Sequence, residues 1–213
     1  RQIYNDIDFP MLDILSSMEK DGISVSLPKM KKLSKQLSKE LESLSNKCYE
    51  ITNQEFNLNS PKQLSEIFYN EMNFPVLKKT PKGAPSTDAS VLEELSKEHD
   101  LPKYILKYRE LEKIRSTYVD GLIPEVTKHN KIHTHFNLFG TATGRLSSEK
   151  PNLQNIPNKT ELGQKIRDFF MSKPNFSFII ADYSQIELRV LAHLSQDSTC
   201  LLYTSPSPRD VWV

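Results

Sequence analysis

Residues 176–195 read FSFIIADYSQIELRVLAHLS. The opening FSFIIA is a continuous apolar run, the pattern of a short strand buried on both faces. Asp182 follows it, and from Ser184 onward Ile186, Val190, Leu191 and Leu194 recur at helical spacing to about Ser195. The stretch therefore predicts a strand, a carboxylate and a helix in that order. A carboxylate held at a strand end beside a helix N-terminus suits a divalent cation, and a simple capping role for Asp182 fits the spacing equally well.

Working outward, residues 141–160 (TATGRLSSEKPNLQNIPNKT) are polar, contain Gly144, Pro151 and Pro157, and predict an irregular, exposed segment. Just before it the period is two: Ile132, Thr134, Phe136 and Leu138 alternate with His133, His135, Asn137 and Phe139, as in a half-buried strand. His133 and His135 share one face, but with no third or fourth ligand nearby they read as structural histidines rather than a zinc site. The change of period places a boundary near residue 130.

Upstream the pattern is helical. Leu27, Met30, Leu33, Leu37, Leu41, Leu44, Cys48 and Ile51 form one stripe of a long helix, with Ser26 as its cap and Pro28 in its first turn. A repeat close to seven residues asks for a partner helix packed lengthwise, supplied by residues 102–126 through Tyr104, Tyr108, Leu111, Arg115, Tyr118 and Leu122. Ser60-Pro61-Lys62-Gln63 is a capping box opening a short helix with Leu64, Ile67 and Phe68. Residues 78–85 predict an exposed loop or hairpin, and Ser86-Thr87-Asp88 a cap for a helix through Val91, Leu92 and Leu95.

Composition excludes several classes. The 28 Lys and Arg nearly balance 27 Asp and Glu, so no global charge points to a partner, although lysines cluster at residues 29–47 and 78–82, as on a solvated helix face. No run approaches the roughly 20 apolar residues of a membrane-spanning helix. Cys48 and Cys200 are too isolated for a disulfide framework or a thiolate metal site. The start, Arg1-Gln2-Ile3-Tyr4, has neither initiator Met nor signal layout, so a soluble, cytoplasmic piece of a longer protein is expected, with no membrane partner.

Taken together, TGRLSS, PNLQNIP and DYSQIELR closely resemble the palm of family A DNA polymerases, the DNA polymerase I type, in which DYSQIELR is motif A. NLNSPKQLSEIF (residues 57–68), the Ser86-Thr87-Asp88 turn and KIRSTYVDGLIP (residues 113–124) resemble the same family's thumb. The resemblance implies an α+β fold: a mostly helical thumb with long antiparallel helices over residues 1–130, then part of an antiparallel-sheet palm over residues 131–197. Residues 198–213, rich in Ser and Pro, look unrelated to the family and predict a disordered or artefactual tail.

The same resemblance implies template-directed deoxynucleotidyl transfer to a primer 3′-hydroxyl, with primer–template duplex DNA and dNTP as partners, two Mg²⁺ ions, and a monomeric intact enzyme. Asp182 would be the catalytic metal ligand, joined by the backbone carbonyl of Tyr183. Gln185, Ile186 and Glu187 would line the nucleotide, Glu187 leaving no room for a ribose 2′-hydroxyl. Arg145 would read minor-groove acceptors near the primer terminus, and Asn152, Gln154, Asn155 and Lys159 would hold duplex. Lys159 stands where many relatives carry Arg. Arg189, also within the motif, fits pairing with a carboxylate inside the palm at least as well as a ligand contact. The second palm carboxylate, in an HDE motif, and the fingers helix are missing from the string, so the chain alone is expected to be inactive. The alternative is a non-catalytic remnant that binds primer–template.

Overall fold

The computed structural model describes residues 1–157 and 160–200. A π-helical turn, Tyr4–Asp8, leads into α1 (Phe9–Asp21); then come β1 (Ile23–Val25), α2 (Leu27–Thr52), α3 (Pro61–Ser65), α4 (Ala89–Leu95) and α5 (Asp100–Ile114). Short strands follow: β2 (Lys131–Ile132), β3 (His135–Asn137) and β4 (Ser147–Glu149), with α6 (Glu161–Arg167), β5 (Phe170–Met171) and α7 (Ile186–Ser195) completing the order. Two units emerge, Arg1–Met171 and a second that begins at Ser172. The first runs straight through the change of period at residue 130.

In the first unit α2 and α5 pack along each other as the heptad-like stripe requires. Met30, Leu33, Leu37 and Leu41 share a core with Leu111, Ile114, Val119 and Leu122, whereas Cys48 shares another with Leu101 and Ile105. The end of α2 thus meets the start of α5, and the pair is antiparallel. Burial in that second core pushes the Cys48 thiol up to about 12, so it behaves as an inert apolar group. The expected tyrosines lie only at the margin: Leu101, Ile105 and Ile114 fill the seam, while Tyr104 and Tyr108 stay half-buried. Arg115 is a polar clip across it, donating from Nη1 to Ser38 Oγ at 3.2 Å and pairing with Glu112. After Ile114 the helix widens into a π-helical turn, Arg115–Asp120, and ends in a 3₁₀ turn, Ile123–Glu125, at Pro124.

Caps form largely where the sequence places them. Asp88 accepts from the Val91 N–H at 3.1 Å and pairs with Lys78, while Ser60 accepts from the Gln63 N–H. The reciprocal half of that box differs: Gln63 Oε1 accepts from Asn57 N–H at 2.7 Å, because the Ser60 N–H already donates to the Asn57 carbonyl. Ser26 stands at the start of α2 without a side-chain capping bond. Residues 78–85 form the hairpin, with Lys79 bridging to Pro85.

A three-stranded antiparallel sheet, ordered β2-β1-β5, seats the helices; Ile23 faces Ile132 and Val25 faces Phe170. β3 and β4 form a second antiparallel pair, Phe136 opposite Ser148. Two expectations are corrected here. Residues 147–149 are a strand, not irregular chain, because Ser148 buries its hydroxyl in internal hydrogen bonds. The strand expected at residues 176–181 does not form: Ile179 and Ile180 are 94% and 84% exposed. A strand needs a neighbouring strand to exchange N–H and C=O bonds with, and among the described residues no strand lies beside this run, whose Phe176 N–H donates instead to the Lys173 carbonyl in a turn. Helix α7 forms as expected, with Ala192 buried and Ile186, Val190, Leu191 and Leu194 exposed.

Candidate functional site

In the first unit the loop between β3 and β4 carries Arg145, exposed, and the loop after β4 carries the three amides. Their backbone is tightly organised. Asn152 Oδ1 accepts from the Gln154 N–H at 3.0 Å, a side chain mimicking a turn. Gln154 Nε2 donates to the carbonyl of Leu146 at 3.1 Å, tying the amide loop to the residue after Arg145. The Arg145 carbonyl accepts from Thr141 Oγ1 at 2.8 Å. Asn152, Gln154 and Asn155 are all exposed, so their remaining donors and acceptors face solvent. Lys159 lies outside the described residues.

In the second unit Asp182 and Tyr183 occupy an exposed stretch outside any helix or strand, Tyr183 at 81% exposure. The turn into α7 bends through Gln185, whose φ of 53° and ψ of 37° place a non-glycine residue in the left-handed region. Such conformations persist where neighbouring structure imposes them. Here the Gln185 carbonyl accepts from Arg189 N–H at 3.0 Å, and Arg189 Nε donates to the Ser184 carbonyl at 2.8 Å. Arg189 therefore braces the Ser184–Gln185 turn through a backbone carbonyl, and no carboxylate partner is seen for it among the described residues. Glu187 sits in the first turn of α7, where the helix dipole favours an anion.

Among the described residues no three His, Cys, Asp or Glu gather as a metal cluster would. Asp182 and the Tyr183 carbonyl are hard oxygen donors, right in kind for Mg²⁺ and too few for its octahedral shell. His133 and His135 have structural work: the His133 imidazole donates through Nδ1 to the Glu19 carbonyl at 2.8 Å, and His135 Nδ1 lies 3.4 Å from Glu19 Oε2. Glu19, which also accepts from the Phe136 N–H at 2.6 Å, was not legible as a clamp because its partners lie more than a hundred residues away.

Residues 27–212 match the family model described as DNA polymerase family A. The chain belongs to that family. The match takes in residues 198–212, which local pattern alone sets apart; of these, residues 201–212 lie outside the described ones. DNA polymerase I of Geobacillus stearothermophilus is 44% identical over 202 residues, covering 94% of this chain and 23% of that protein. DNA polymerase I of Bacillus subtilis (strain 168) is 45% identical over 203 residues, again 94% and 23%. Among solved structures, the POL domain of Pol1 from M. smegmatis, in complex with DNA primer-template and dNTP, superposes with a TM-score of 0.86 at 36% identity. That likeness covers 94% of this chain and 36% of the other, and it bears out the α+β class. The chain thus spans less than a quarter of the length of these curated relatives.

Proposed function

We propose that this chain is the thumb and the first part of the palm of a DNA-directed DNA polymerase, which adds deoxynucleotides to a primer 3′-hydroxyl under template direction. The observation that carries the reading is the family match over residues 27–212, which includes both TGRLSS and DYSQIELR. Primer–template DNA and dNTP are the proposed partners, the M. smegmatis relative having been seen with both. No helix among the described residues is long and apolar enough to cross a membrane, and with bacterial relatives the proposed location is the cytoplasm. The intact enzyme is proposed to be a monomer.

The residues divide the work. Arg145 offers a cation in the minor groove, where purine N3 and pyrimidine O2 occupy similar places in every correct pair, so it tests pair shape without reading sequence. Asn152, Gln154, Asn155 and Lys159 offer donors to the sugar–phosphate path and set the duplex register. Glu187, with Gln185 and Ile186, bounds the space beneath the incoming sugar. Asp182 and the Tyr183 carbonyl would hold Mg²⁺ together with ligands from outside the described residues. When bound, the metal supplies Lewis-acid stabilisation of developing charge on oxygen. With one carboxylate at this place, the 213-residue chain by itself is proposed to bind duplex and not to extend it.

The test is primer extension by the full-length polymerase containing this sequence, with and without Asp182→Ala. Loss of incorporation with primer–template affinity kept supports the role of Asp182. Retained turnover would refute it, and failure of the unsubstituted enzyme to extend would refute the polymerase reading itself.

A further inference from the structure

Two buried hydroxyls lie between the loop that carries Arg145 and the loop that carries the amides. Thr134 just precedes β3 and Ser148 is the middle residue of β4; they are 7% and 2% exposed. Their oxygens are 2.6 Å apart. Thr134 Oγ1 lies 2.8 Å from the Pro151 carbonyl, and the Leu153 N–H donates to Ser148 Oγ at 3.1 Å. The Glu149 carbonyl, 3.1 Å from Thr134 Oγ1, is the longer alternative acceptor. Each hydroxyl has one proton, so one directed chain serves the shorter contacts: Leu153 N–H to Ser148, Ser148 O–H to Thr134, Thr134 O–H to Pro151 C=O. The chain ends on the carbonyl before Asn152 and begins on the amide after it. Asn152 is thereby pinned on both sides, and its own Oδ1 holds Gln154, which reaches Leu146 beside Arg145.

We propose that Thr134 and Ser148 are positioning residues for duplex binding: their hydroxyl pair sets the backbone on either side of Asn152 and, through Gln154, aligns the amide loop with Arg145 on one primer–template duplex. This rests on the reading of those residues as duplex contacts. Neither hydroxyl touches the duplex. Both act through Asn152, which separates this role from general packing.

The test uses the 213-residue chain as wild type, Thr134→Val, which keeps the shape and loses the hydroxyl, and Thr134→Ser, which restores it. Hydrogen exchange at the Leu153 amide needs no DNA. It should be protected in wild type and Thr134→Ser and exchange about tenfold faster in Thr134→Val. Binding of a fluorescent primer–template at fixed salt should weaken about tenfold in Thr134→Val, recover in Thr134→Ser, and show no added loss when Thr134→Val is combined with Asn152→Ala. An unprotected Leu153 amide in wild type overturns the proposal, and so does an additive double mutant. Should Thr134→Val not fold, Ser148→Ala takes its place with the same expectations. Unchanged binding in Arg145→Ala overturns the duplex reading and the positioning with it. Weakened binding in Arg145→Ala with none in Thr134→Val overturns the positioning alone.

Discussion

Replacing Leu37 by Ala removes three carbons from the middle of the α2–α5 seam. Leu37 is 3% exposed and packs in the core shared by Met30, Leu33, Leu41, Leu111, Ile114, Val119 and Leu122. At about 0.8 kcal/mol per buried carbon the transfer loss is about 2.4 kcal/mol, and a residual cavity raises it to about 3 kcal/mol, inside the usual Leu→Ala span. For a unit of this size that shifts Tm by roughly 6–12 °C. Ile51, on the same helix and 38% exposed, is the control and should cost well under half as much when cut to Ala. Leu92→Ala probes the other core, with which the first shares Tyr108 as a flanking residue. If the first unit unfolds as one body, the Leu37 and Leu92 losses should add within about 0.5 kcal/mol. Urea unfolding followed by far-UV circular dichroism measures all five proteins: wild type, the three single variants and the Leu37→Ala/Leu92→Ala double variant. A Leu37→Ala midpoint indistinguishable from that of Ile51→Ala would refute the seam as the support of the helical unit, and a biphasic curve would refute its unity.

Gly22 ends α1 at φ 61°, and a Cβ there would lie 2.7 Å from the His133 ring and 2.8 Å from the Ile132 carbonyl. Gly22→Ala should therefore destabilise by about 1–3 kcal/mol in the same urea assay, through strain and displacement of β2. Hydrogen bonding from the Phe136 N–H, against an opposing effect of burial and with further help from His135, holds the Glu19 carboxyl below its ordinary value of 4.5. A depressed carboxyl lends stability above pH 4.5 that is lost as pH falls through its folded value, so Glu19→Gln should flatten the acid limb of a stability–pH curve; parallel limbs would count against the clamp. In the full-length polymerase, Glu187→Ala should relax discrimination against ribonucleotides by about tenfold or more, read from competing single-nucleotide incorporation.

The helical unit was legible because its signals are local. The stripe from Leu27 to Cys48, the Pro at helix starts and the Asp88 cap each act within a few residues, and each forms where the spacing puts it. The sheet was not, because its pairs join Ile23 to Ile132 and Val25 to Phe170, and a two- or three-residue strand carries no period of its own. Residues 176–181 show the converse. Apolar run and β-branched residues are both present, yet hydrophobicity selects a face only when a neighbouring strand exists to offer it, and here the run stays exposed.

The site divides the same way. DYSQIELR and TGRLSS were legible as motifs because each is a contiguous run of residues, and the roles proposed for Asp182 and Arg145 come from the resemblance those runs carry. What holds those side chains is long-range. Thr134 already stood at an inward position of a strand pattern, between Ile132 and Phe136, and a hydroxyl facing a core must find partners or cost about 1–3 kcal/mol. That demand is readable in a single string. Its answer, the Pro151 carbonyl and Ser148 across a loop of more than a dozen residues, is not. A polar residue at a buried register position is therefore the sequence signal by which supports of a functional loop can be sought, and in this chain it leads from β3 to the backbone around Asn152.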